Sequence, residues 1–306
     1  LAPDRLAQVL IPFLEARGGY HNVANKALVK DVLSTKGVDD TGNALGWQVH
    51  QSDAGYVYLK ALVAKLKKEG IVVPMYAEAS GHAWTHVTGA YENPIVVNIL
   101  FAIMCMNVVQ ELKGAAHSLF EAFERATTFR YQKSTRFQPL FGQRLLELAA
   151  ADSRNNSGWT PSNGGTPPQI IIQIGRDLAI EELKARFRVG TAFDTPAGQL
   201  VVSMFDAQHD GEINRFADIR FQLNDREAGS FVFRASSNDP TLVCVFETPV
   251  FDEEEPSDTQ CRYDVIGGLV MSIAVEMGLA KDTNEKGANN MAEVVEMLGR
   301  YRRLLG

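Results

Sequence analysis

Residues 53–88 read DAGYVYLKALVAKLKKEGIVVPMYAEASGHAWTHVT. Tyr56, Leu59, Val63 and Leu66 recur at helical spacing. Asp53 stands where an N-cap would, and Gly70 where a helix needs a left-handed residue to stop, so a helix is expected over Gly55–Glu69. Ile71–Tyr76 then reads as a strand, Ser80-Gly81-His82 as a turn and Trp84–Thr88 as a return strand. Upstream, Leu6, Leu10, Phe13 and Leu14 predict a first helix from Asp4 to about Ala16, ended by Gly18-Gly19. Val23, Ala27 and Val32 predict a second helix from about Asn22 to Leu33, and Lys36-Gly37 with VDDTGNALG reads as a loop. Three helices followed by a two-stranded hairpin is the order of a winged helix, expected over residues 4–90. Its third helix would offer Lys60, Lys67 and Lys68 to a nucleic-acid groove.

Downstream, the apolar run Ile95–Val109 is interrupted by Asn98 and Asn107 and is shorter than the roughly 20 residues of a membrane span, so it reads as a buried helix. Helical patterning continues to about Ala151, broken or kinked at Pro139. Asp152–Pro168 (DSRNNSGWTPSNGGTPP) is rich in Ser, Asn, Gly and Pro and reads as a linker or long loop. Gln169–Ile174 (QIIIQI) reads as a short strand and Arg176–Arg188 as a helix. Alternating runs separated by DTPAGQ, AQHDGE, NDREAG and SSNDP then predict an antiparallel meander over about 191–251. The acidic DEEEPSD reads as a solvated turn, and helices over Tyr263–Met277 and Asn289–Leu305 close the chain. The expected fold class is therefore α+β. A mainly helical lobe (1–151, with the winged helix) and an α+β lobe (169–306, the meander flanked by helices) are joined by 152–168.

The chain of 306 residues is 45% hydrophobic with a formal net charge of −7, which excludes binding of a polyanion by the whole surface but permits a local basic groove. Such a groove is suggested by Ala115–Leu148, where Arg125, Arg130, Lys133, Arg136 and Arg144 interleave with Phe129, Tyr131, Phe137 and Phe141. No acid falls between Glu124 and Glu147. Cations that meet phosphates, alternating with rings that stack on bases, are the chemistry of single-strand binding; the plainer reading is an amphipathic helix with core Phe residues. Cys105, Cys244 and Cys261 lie far apart and form no C-x-x-C pair, which suits an intracellular, reducing compartment, cytoplasmic or nuclear.

No metal or cofactor is expected. His82 and His86 have the spacing of a zinc helix but sit on a turn and strand. Asp206–Ala217 resembles a calcium loop, yet Gln208 and Ala217 occupy positions that need ligands, so it reads as a hairpin turn. No nucleophile elbow, phosphate-binding loop or dinucleotide fingerprint occurs. The expectation is a non-enzymatic, nucleic-acid-associated protein. It would be a nucleocapsid- or coat-like assembly subunit or a winged-helix binding subunit, with single-stranded RNA or DNA as partner, self-association and no membrane. The contacts would come from Arg125, Arg130, Tyr131, Lys133, Arg136 and Arg144, with Lys60, Lys67 and Lys68 as a second patch. The alternatives are a protein-only scaffold and an enzyme whose site is assembled from scattered residues.

Overall fold

The computed structural model of the protein describes residues 3–79, 83–85, 102–103, 105–107, 110, 121, 127, 129–133, 143–153, 155–160, 168–210, 213–235, 242–279 and 291–306. The chain divides into two compact units, Leu1–Tyr131 and Gln132–Gly306.

In the first unit the elements run α1 (Pro3–Arg17), β1 (Lys26–Asp31), α2 (Lys36–Ala44), β2 (Gln48–Ser52), α3 (Tyr56–Lys68), β3 (Val72–Ala77) and β4 (Ala83–Thr85). The sheet order is β2-β1-β3-β4. β1 pairs in parallel with both β2 and β3, and β4 returns antiparallel to β3. This is an open, largely parallel sheet with helical crossovers, so the winged-helix expectation is corrected. Helices α1 and α3 and strand β3 fall where their apolar patterns predict. The error lies between them, where Asn22–Leu33 holds a strand instead of a helix and the supposed loop forms α2.

Strand β1 explains the misreading. All six of its residues are buried, as befits a central parallel strand covered on both faces, so no alternation appears in its sequence. Leu28 packs with Leu10, Ile11 and Leu14 of α1 and Val38 of α2, whereas Ala27 and Val29 pack with Leu59, Val63 and Leu66 of α3. Each fully buried aliphatic side chain contributes roughly 1.5–3 kcal/mol. The two lysines that interrupt the run are paired. Lys26 Nζ donates to Glu15 Oε1 at 2.6 Å and to the Tyr20 carbonyl at 2.9 Å. In β3 the register shifts between the partners of Lys26 (Val72) and Leu28 (Met75). Three residues of β3 thus span two of β1 at Pro74, which has no N–H to give the ladder. The bulge sends Val73 and Tyr76 toward α3 and Met75 and Ala77 toward α1.

Helix α2 looks like a loop because it holds two glycines and few apolar residues, but close packing requires both. A Cβ at Gly37 would lie 2.5 Å from Gln8 Nε2 of α1, and one at Gly42 would lie 2.9 Å from Val49 of β2. Thr35 caps the helix, its Oγ1 accepting from Gly37 N at 3.3 Å.

The second unit carries α4 (Gln143–Ala151), α5 (Gln169–Arg186), β6 (Ala192–Thr195), β7 (Gly198–Asp210), β8 (Ile213–Leu223), β9 (Arg226–Ala235), β10 (Leu242–Val250), α6 (Pro256–Glu276) and α7 (Met291–Leu305). With strand β5 (Arg130–Lys133), the sheet order is β5-β10-β9-β8-β7-β6. Strands β6 to β10 are the antiparallel meander that the alternation predicts. Val202, Ile219, Phe221, Phe231, Phe233 and Phe246 form the sheet's side of one core, with Leu183 of α5 and Ile266 and Val270 of α6 on the helical side. Asp206 and Ala207 pair with Asp218 and Ala217, so the calcium-like stretch belongs to a hairpin, as its composition suggests.

The run QIIIQI is the start of α5, not a strand. Ile171, Ile174 and Leu178 follow helical spacing and meet Leu146 and Ala149 of α4. Six residues were too few to display that period. No helix among the described residues is long and apolar enough to cross a membrane.

Candidate functional site

In an open sheet of parallel strands, ligands bind beyond the carboxyl ends of the strands, where the strand order reverses. In the first unit the chain leaves β1 for β2 on one side and then reaches β3 on the other, so the reversal lies between β1 and β3. The segments leaving that edge are residues 32–35 after β1, 53–55 after β2 and 78–79 after β3.

Asp31, the last residue of β1, is 1% exposed. Its Oδ1 accepts from Ser34 N at 2.8 Å, Ser34 Oγ at 2.5 Å and Ala79 N at 3.2 Å. Burial pushes its carboxyl above the usual carboxylate range and the negative charge of Glu78 adds to that, while the Ser34 and Ala79 donors and the Lys30 charge pull it back. Glu78 itself is half-buried. Lys30 is wholly buried; its Nζ donates to the carbonyls of Ser34 at 3.0 Å and Thr35 at 3.3 Å and pairs with Asp39 Oδ1 at 2.8 Å. Lys36 Nζ lies 3.4 Å from Gln51 Oε1 and 4.0 Å from Asp39 Oδ2. Helix α3 begins without a side-chain cap and without an acid in its first turn, and there Tyr56 is 48% exposed with Lys60 Nζ 4.8 Å from its ring centroid. Carboxylates accept from hydroxyls, and the start of a helix favours an anion. The edge therefore suits a small ligand that is both hydroxylated and anionic. Among the described residues, no group of three or more side chains is arranged to hold a metal ion.

Of the residues expected to grip nucleic acid, the structure describes the side chains of Lys60, Lys67, Lys68 and Tyr131. Lys67 and Lys68 are exposed in the last turn of α3, where cations complement the helix dipole, and Lys60 is engaged by Tyr56. Tyr131 donates its hydroxyl to Asp40 Oδ2 at 2.6 Å. Arg130 and Lys133 lie on β5 and Arg144 on α4, with their side chains outside the description; Arg125, Arg136, His82 and His86 lie outside the described residues. Asp31 and Ser34 escape the sequence reading because β1 reads as a helix, and Glu78 because the strand before it reads as half of a hairpin, without its parallel partner. A short hydroxyl-bearing turn after a buried strand is the signal that would have found them.

The first unit resembles a known domain. Residues 2–123 match the family model described as phosphoglucomutase/phosphomannomutase, alpha/beta/alpha domain III. The match spans every element from α1 to β4. No curated protein matches the chain. Among solved structures, a phosphoglucomutase/phosphomannomutase family protein from Burkholderia thailandensis is 15% identical, with 94% of this chain and 43% of that one covered and a TM-score of 0.46. The exocytosis-sensitive phosphoprotein pp63/parafusin from Paramecium, a phosphoglucomutase, is 11% identical, with 96% and 42% covered and a TM-score of 0.45. Those likenesses are too distant to carry an argument, and the chain spans less than half the length of either protein.

The family match overturns the functional expectation. It points to an enzyme family whose substrates are small phosphorylated sugars, not to a non-enzymatic nucleocapsid- or coat-like subunit, a winged-helix binder of RNA or DNA, or a protein-only scaffold. In α3, basic residues that complement the dipole in a last turn look in sequence like a binding patch.

Proposed function

We propose that the chain belongs to a sugar-phosphate mutase and that its first unit supplies a sugar-phosphate-binding surface at the carboxyl edge of the parallel sheet. The observation that carries this is the family match over residues 2–123, which coincides with the α/β/α unit. The chemistry of the edge supports it. Glu78, beyond β3, offers a carboxylate to sugar hydroxyls, and the acid-free start of α3 offers backbone N–H groups to phosphate. The exposed ring of Tyr56 offers an apolar face to the pyranose. A mutase moves phosphate between hydroxyls of one sugar, so it must hold the ring by its hydroxyls as firmly as by its phosphate.

The test is calorimetric titration of the chain with glucose 1-phosphate, mannose 1-phosphate, glucose and inorganic phosphate. The reading requires a sugar phosphate to bind more tightly than glucose or phosphate alone, and Glu78→Gln to weaken it by roughly tenfold, the loss of one charge-assisted hydrogen bond. Binding of inorganic phosphate as tight as that of both sugar phosphates, or no binding of either, would overturn it.

A further inference from the structure

Asp31 joins two loops that are far apart in sequence. Ser34, three residues on, and Ala79, 48 residues on, both donate to its Oδ1. These loops flank the strand reversal between β1 and β3. The Ala79 amide follows Glu78 directly, so this bond fixes the peptide that links the two residues. The Ser34 amide opens the turn that leads through Thr35 to Lys36. Lys30, on the same strand, takes the other half of that turn, its Nζ donating to the carbonyls of Ser34 and Thr35. The β1–α2 turn is thus held by its donors through an acid and by its acceptors through a base. Burying a carboxylate at 1% exposure is costly, and the three donors that converge on its Oδ1 offset part of that cost.

We infer that Asp31 is a positioning residue for ligand binding, its buried carboxylate setting the Glu78 loop against the Ser34–Lys36 turn in the spacing that a sugar phosphate requires. This rests on the sugar-phosphate reading above. Asp31 acts through its neighbours, since three donors already converge on Oδ1. Its removal frees the loops to separate, whereas a carboxamide oxygen in its place can still accept.

The experiment compares the full chain with Asp31→Ala, Asp31→Asn and Ser34→Ala. Each is titrated with glucose 1-phosphate and followed by amide hydrogen exchange at Ala79. Asp31→Ala is expected to raise Kd by roughly tenfold or more and to speed exchange at Ala79. Asp31→Asn is expected to restore both to within about threefold of wild type, and Ser34→Ala to fall between. Where Asp31→Ala yields no folded chain, Ser34→Ala and Asp31→Asn decide. Wild-type affinity in Asp31→Ala or Ser34→Ala overturns the inference alone, as does an Asp31→Asn chain as weak as the alanine variant, because the carboxylate would then be touching the ligand. A wild-type chain that binds no glucose 1-phosphate overturns the sugar-phosphate reading and this inference with it.

Discussion

Two carboxylates respond to the fold in opposite directions, and the difference is measurable. Burial holds Asp31 above the usual carboxylate range, so the fold favours its protonated form. Its contribution to stability is complete below the ordinary aspartate pKa and is lost as pH rises through the raised one. Wild type should therefore lose stability relative to Asp31→Asn as pH climbs above about 4, read from urea midpoints at a series of pH values. A constant difference across that range would contradict the assignment. Glu254 behaves in reverse. Arg262 donates Nη1 to its Oε1 at 2.7 Å and Nη2 to its Oε2 at 2.8 Å, and Nη2 also donates to the Pro249 carbonyl at 2.6 Å. The Arg262 hydrogen bonds hold Glu254 below the usual range against the opposing effect of burial. That contribution is present above the ordinary glutamate pKa and is lost as pH falls through the depressed one. Glu254→Gln should cost about 1.5–3 kcal/mol at neutral pH, with the difference shrinking as pH falls below the ordinary glutamate range. A variant as stable as wild type at pH 7 would show the clamp to be idle. The acidic turn that the sequence presents as merely solvated is thus partly pinned, because its fate depends on an arginine on the helix that follows.

Legibility at the scale of elements followed how much of each was wet. Helix α3 and strands β7 to β10 show their period plainly, since one face is apolar and the other is not. Strand β1 is buried on every residue and α2 is a small-residue helix pressed between neighbours, so both lacked the contrast that periodicity needs. The site inherited that gap, because its acid, its serine and the turn between them sit between the two misread elements. A close approach of the same kind governs the second unit. A Cβ on Gly267 would fall 2.5 Å from Met297 Sδ and 2.7 Å from Phe246 Cζ, and one on Gly268 would collide with the Tyr301 side chain. Helices α6 and α7 meet there only because the position is bare. Gly268→Ala should lower stability by roughly 1–3 kcal/mol through overpacking, despite the better helix propensity of alanine. A rise in Tm would show that Tyr301 moves aside freely.

At the scale of the molecule, a net charge of −7 spoke against indiscriminate binding of polyanions, and a small anionic sugar needs no basic surface to be held. What composition could not convey is that the chain builds separate cores. Leu28 belongs to a cluster with α1 and α2 in the first unit, and Phe231 to a cluster with α5 to α7 in the second. Contiguous packed regions of this kind open with free energies of their own. Leu28→Ala should cost about 2–5 kcal/mol, felt as faster hydrogen exchange in β1, β2 and β3. Phe231→Ala should cost about 3–5 kcal/mol, felt in β8, β9 and β10. In the double variant the two losses should add within about 0.5 kcal/mol, because neither side chain has a partner in the other's cluster. Acceleration of β8 and β9 exchange by Leu28→Ala as large as that in β1 would instead mean that the whole chain opens at once.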